Sequence, residues 1–174
     1  PTGVVRIPVV EGTIILAIDV SGSMRAADVR PSRIEAAMSA AARFVDRQRG
    51  SDRVRIGVVA FSDQAYVVQP PTIDRDATIQ AIGRLRPQRG TGIGRGILAS
   101  LDALVDDPEA ILPSDGFYDR QANGAPPPEA PPVTRAFAPQ TIVLLTDGVN
   151  TQPPTPLQVL DEATSRGVRI YTIG

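Results

Sequence analysis

Cysteine and histidine are both missing from this chain of 174 residues. Without cysteine there is no thiol nucleophile, no disulfide and no thiolate metal site, and the redox compartment stays undetermined. Without histidine there is no Ser-His-Asp triad and no histidine-bound zinc. An excess of one charge is lacking too: 18 Lys and Arg stand against 19 Asp and Glu, a formal net charge of −1. That balance gives no global attraction to nucleic acid or to an anionic membrane, and no run of like charges supplies a local one. No apolar run approaches the roughly 20 residues that span a bilayer, so direct membrane insertion is not expected. No signal peptide is visible either.

What is present is the composition of one soluble globular domain, 42% apolar and 21% charged, long enough to bury a sizeable core. The chain begins at Pro1 without an initiator Met and stops in the strand-like "VRIYTIG". Residues 1–174 are therefore expected to form a single domain cut from a longer protein.

The run "TIILAI" (13–18) is continuous, apolar and β-prone, as in a strand covered on both faces. Ser32 and Glu35 have capping-box spacing, which starts a helix near Arg33. Ile34, Ala37, Met38, Ala41 and Val45 give it an apolar stripe, with Gly50 as its stop. "DRVRIGVVAFS" (52–62) and "QAYVVQPP" (64–71) read as an antiparallel hairpin turning at Ser62 and Asp63. Asp74 caps a helix carrying Ile79, Ile82 and Leu85, and a further helix carries Ile93, Ile97, Leu98, Leu101, Leu104 and Val105. "QTIVLLTDG" (140–148) is a second buried strand. Thr155, Pro156 and Gly167 then bracket a short helix before the last strand. This alternation calls for an α/β fold with a mostly parallel sheet. Residues 107–139, with "GAPPPEAPP" inside them, can continue neither a helix nor a central strand. They read as a Pro-rich exposed insertion, with a binding loop as the sharper alternative.

In an open parallel sheet, ligands gather beyond the carboxyl ends of strands. Three polar loops stand at or beside such ends: "DVSGSM" (19–24), "RGTGIG" (89–94) and "TDGVNT" (146–151). They contribute Asp19, Ser21 and Ser23, then Thr91, then Asp147. Two carboxylates and three hydroxyls with no soft ligand make a hard-oxygen site suited to Mg²⁺. So few anionic ligands leave the ion much of its charge, and such an ion still attracts an external carboxylate. Taken singly, Asp19 reads as a loop-capping aspartate and Ser21 and Ser23 as turn serines. The five together make the metal reading the stronger one.

These motifs resemble the metal-ion-dependent adhesion site of the von Willebrand factor A-type domain. "DVSGSM" has its Asp-x-Ser-x-Ser form, and Thr91 and Asp147 complete the set in the family's order. More narrowly, "DVSGSMRAADVRPSRIEAA", "VRIGVVAFS" and "RIYTIG" look like the bacterial Bat-like, aerotolerance-type members. The resemblance implies a Rossmann-like open sheet, mostly parallel, with one antiparallel edge strand and helices on both faces. The family continues with another helix, an edge strand and a final helix, so its C-terminal elements look truncated after Gly174. It also implies that Ser21 and Ser23 ligate Mg²⁺ directly, with Mn²⁺ or Ca²⁺ as substitutes. Thr91 would ligate directly or through water, while Asp19 and Asp147 would act largely through water. The sixth position would take an Asp or Glu of a partner protein. A membrane-anchored bacterial parent, an extracytoplasmic domain and association with a MoxR-type AAA+ ATPase or membrane complex are further implications.

Three rival readings are weaker. "GTGIGRG" misses the G-x-G-x-x-G spacing, follows no buried strand and lacks the Gly-Lys-Ser/Thr of a P-loop. A haloacid-dehalogenase-like phosphatase needs a second acid two residues after its nucleophile, where Ser21 stands, so the proton donor is absent. No catalytic residue and no enzyme activity are therefore expected. A structural scaffold, in which the metal only ties loops together, is the remaining alternative. The arginines of "RLRPQRG" (84–90) read as a solvated face, or else as added attraction for an acidic partner.

Overall fold

The computed structural model describes residues 12–51, 53–105 and 139–174; of the insertion expected at 107–139, all but Pro139 lies outside them. Five strands form one sheet: β1 (Gly12–Asp19), β2 (Val54–Phe61), β3 (Ala65–Thr72), β4 (Gln140–Leu145) and β5 (Arg169–Ile173). Their spatial order is β3-β2-β1-β4-β5. β2 and β4 flank β1 in parallel, β5 is parallel to β4, and β3 pairs antiparallel with β2 at one edge. The hairpin read at Ser62–Asp63 and the antiparallel edge strand are both present.

Four helices pack on this sheet: α1 (Arg33–Arg47), α2 (Arg75–Gly83), α3 (Ile93–Val105) and α4 (Pro156–Ser165). Their starts follow local chemistry. Ser32 Oγ accepts from Glu35 N at 3.3 Å and donates to the Glu35 carboxylate at 2.8 Å, which satisfies donors that the first helical turn leaves open. Asp74 Oδ1 accepts from Ala77 N at 2.9 Å for α2, and Pro156 opens α4.

Successive residues of β1 point to opposite faces, which divides the core in two. Ile15 and Ala17 join Phe61, Ile97, Leu101 and Val159, beneath α3 and α4. Leu16 and Ile18 join Val58, Ile34, Val45 and Ile82, beneath α1 and α2. Each fully buried Ile, Leu or Phe contributes about 1.5–3 kcal/mol over its exposed state. With both faces covered, β1 needs a continuous apolar run, and "TIILAI" supplies one.

Some element ends differ from the sequence reading. α1 stops at Arg47, three residues before Gly50, and α2 stops at Gly83. Leu85 is nevertheless buried, because the chain beyond α2 folds it onto the same core. β4 ends at Leu145, so Thr146, Asp147 and Gly148 belong to the loop that follows. β1 lies at the centre: the chain leaves it toward β2 on one side, while β4 and β5 lie on the other. The carboxyl ends of β1 and β4 thus face the point where the connections diverge.

Candidate metal centre

β1 delivers Asp19 as its last residue, so strand alternation does not extend to Ser21 and Ser23. What brings the serines together is a short 3-10 turn, Gly22–Arg25, which Ser21 precedes. Ser21 Oγ and Ser23 Oγ lie 3.0 Å apart, and Ser23 Oγ donates to Asp147 Oδ1 at 3.0 Å. A metal–oxygen bond of 2.0–2.1 Å puts neighbouring ligand oxygens of an octahedron about 2.9 Å apart. The two 3.0 Å distances are those of hydrogen bonds and are also compatible with neighbouring positions in an Mg²⁺ shell.

Asp19 is 0% exposed and Ser21 1%. Asp19 Oδ1 accepts from Ser21 N at 2.7 Å, and Oδ2 accepts from Thr146 Oγ1 at 2.7 Å. Both donors are neutral, and among the described residues no cationic side chain pairs with this carboxylate. A buried charge without a counter-charge is expensive, and folded proteins ordinarily resolve it with a partner or a metal. Thr91, 7% exposed, adds a hydroxyl with no hydrogen-bond partner among the described residues. Its backbone is pinned by Thr151: Thr91 N donates to Thr151 Oγ1 at 3.1 Å, and Thr151 N donates to Thr91 O at 2.8 Å. A Cβ added at Gly148 would lie 3.5 Å from Thr91 Cγ2 and 3.6 Å from Asp19 Oδ2, so these two residues border the same small space. All five residues singled out in the sequence therefore meet at one place.

The donor set fits a hard divalent cation that tolerates hydroxyl ligands. No cluster of three or more Asp, Glu, His or Cys side chains occurs among the described residues. An ion here would rest on hydroxyls as much as on carboxylates, and the two carboxylates would at most balance the charge of a dication.

Further residues build the site without having been singled out. Thr146 orients Asp19 and also accepts from Gly148 N at 3.1 Å. Asn150 Oδ1 takes Ile93 N at 2.8 Å, fastening the start of α3 to the loop after β4. Gln88 N donates to Val20 O at 2.6 Å, joining the loop before α3 to the end of β1. Gly90, at φ +76°, lies against Asp63, and a Cβ there would come within 2.7 Å of the Asp63 Cβ. Arg33 donates to Asp147 Oδ2 and to both oxygens of Asp28, at 2.8 Å and 2.5 Å for the latter. These hydrogen bonds raise the Arg33 guanidinium further above its ordinary range, and the bond to Arg33 holds the Asp28 carboxyl below its usual 3.8. Thr146 stands beside Asp147 in the quoted motif, whereas nothing in the sequence links Arg33 to a residue 114 positions away.

A groove of about 720 Å³ opens beside the site, and Met24, Val29, Arg33, Ala37, Leu145, Asp147 and Ile173 are among the residues that line it. Ser21, Ser23 and Thr91 do not line it, so the groove and the oxygen cluster are neighbours with a shared wall.

The molecule is thus a doubly wound α/β domain carrying a hard-oxygen cluster at its switch point. The profile of the von Willebrand factor type A domain matches residues 14–150, and the chain belongs to that family. Domains of this type generally serve protein interaction or adhesion. A UPF0353 protein of Mycolicibacterium paratuberculosis is 34% identical over 179 residues, covering 99% of this chain and 47% of its own length. The chain spans about half the length of the curated relatives it matches. Among solved structures, BatB from Bacteroides thetaiotaomicron is 25% identical with a TM-score of 0.66, over 93% of this chain and 65% of that one. An aerotolerance-related membrane protein from Bacteroides fragilis gives the same identity and TM-score over 93% and 66%. A von Willebrand factor type A domain from Catenulispora acidiphila, 24% identical with a TM-score of 0.63 over 95% and 34%, shares the fold. No helix among the described residues is long and apolar enough to cross a membrane.

Proposed function

We propose that this chain is a divalent-metal-dependent protein-binding domain. Mg²⁺ is held among Asp19, Ser21, Ser23, Thr91 and Asp147, and a partner protein presents an Asp or Glu to it. The observation that carries the reading is the buried Asp19 carboxylate, which among the described residues has neutral donors and no cationic partner. When bound, the ion supplies a hard Lewis-acidic point with coordination open to an external carboxylate.

The residues of this chain divide the work. Thr146 and the Ser21 amide fix the Asp19 carboxylate, the turn Gly22–Arg25 sets the two serine hydroxyls side by side, and Thr151 holds the Thr91 backbone. The loops are already joined by direct hydrogen bonds (Ser23 to Asp147, Asn150 to Ile93). A metal is therefore not required to tie them, which favours partner binding over the scaffold reading. A serine at position 21, where a phosphatase would need its acid, supports a non-enzymatic role. The similarity to Bat-like and membrane-protein structures supports a membrane-anchored bacterial parent, in which we place this domain on the extracytoplasmic side. A MoxR-type AAA+ ATPase is a candidate associate of that parent.

Asp19→Asn keeps the side chain's shape and removes its charge. Calorimetric titration with Mg²⁺ should show at least about a tenfold loss of affinity, with little change in melting temperature. Unchanged Mg²⁺ affinity would remove Asp19 from the site and the reading with it.

A further inference from the structure

Arg33 is the first residue of α1, where the helix dipole disfavours a cation. It is not placed there for the helix. Its guanidinium bridges two carboxylates: Asp28, which takes both of its oxygens into the contact, and Asp147, which gives only Oδ2. Asp147 thus has one oxygen turned to Arg33 and the other, Oδ1, turned to Ser23 Oγ. The two oxygens of one carboxylate separate the guanidinium from the candidate metal position.

We propose that Arg33 is a resident counter-cation of the candidate metal centre, weakening its hold on the divalent ion and strengthening the pull of that ion on an external carboxylate. The inference rests on the metal reading above and adds the residue that sets how tightly the ion is held. Asp19 and Asp147 bring two negative charges to the cluster, and Arg33 returns one positive charge to Asp147. Asp28 keeps the guanidinium in place from the other side, so Arg33 need not swing away when a metal arrives. A dication and a guanidinium separated by one carboxylate repel strongly even where water screens them. Losing the Arg33 contact costs Asp147 comparatively little orientation, since Ser23 still holds Oδ1 and the residue lies only two positions beyond the end of β4. Repulsion is therefore the larger effect, and it fixes the sign of the test. Arg33 also lines the neighbouring groove, where its positive charge would attract an acidic side chain of a partner.

The test is Mn²⁺ titration of the 174-residue chain, followed by the electron paramagnetic resonance signal of the free ion, on wild type, R33Q, R33K and D19N. Thermal melts of each confirm folding. The account predicts that R33Q binds Mn²⁺ about tenfold more tightly than wild type. R33K keeps the charge without the fork and should stay within about threefold of wild type. Binding seen only with R33Q also supports the proposal. Equal or weaker binding by R33Q, or R33K behaving as R33Q does, overturns it while leaving the metal reading standing. No binding by wild type or R33Q overturns both, and D19N binding as wild type does removes the metal reading and this proposal with it.

Discussion

Asp19 and Asp147 are the same residue type in neighbouring loops, yet their surroundings give them different work. Asp19 is sealed at the end of β1 with two neutral donors, while Asp147 stands half-buried between a serine hydroxyl and a guanidinium. The first is suited to orienting a metal shell from behind, the second to joining that shell to the surface. Asp28 completes the arrangement by anchoring Arg33. Its pairing has a pH signature with a definite sign. Arg33 holds the folded-state pKa of Asp28 below 3.8, so the stabilisation is complete above that value and is lost as pH falls through the lower folded one. Thermal melts of wild type and Asp28→Asn should differ at neutral pH and converge as pH falls below 3.8. A gap that stays constant over that range would mean the pair contributes nothing to stability. The effect is small, because Asp28 is largely exposed.

At the scale of elements, the site depends on how closely α3 approaches the loop after β4. Gly94, in the first turn of α3, packs against the backbone carbonyl of Pro154, and Gly96 packs against the Phe61 ring. A methyl at Gly94 would meet backbone rather than a yielding side chain. Gly94→Ala should therefore destabilise the fold by about 1–3 kcal/mol in urea denaturation and weaken divalent-ion binding by displacing Thr91 or Asn150. Wild-type stability in that variant would show that the two elements have room to separate. This approach was not legible in the sequence, because nothing local in "RGTGIGRGI" says which backbone its glycines meet. The elements themselves were legible for physical reasons. β1 and β4 are covered on both faces and so show unbroken apolar runs, while Ser32, Asp74 and Thr155 mark helix starts because the first turn needs outside acceptors. Element ends were less legible: Leu85 kept the apolar period after α2 had stopped, because the core reaches past the helix.

For the whole molecule, the order β3-β2-β1-β4-β5 turns three distant loops into one surface. That Asp19, Ser21, Ser23, Thr91 and Asp147 gather at one end of the sheet was legible in the sequence, because their loops stand at or beside strand ends that a parallel sheet puts together. Arg33 and Thr146 could not be assigned roles this way. Their contacts depend on side-chain reach across the switch point, which no local pattern records. The central claim is that the oxygen cluster is a seat for a divalent ion, and its most direct test is anomalous diffraction from a crystal soaked in Mn²⁺. The account predicts a peak within about 2.2 Å of the Ser21 and Ser23 hydroxyl oxygens, and close to Thr91 Oγ1. No peak among those oxygens, or one held elsewhere on the surface, would contradict it.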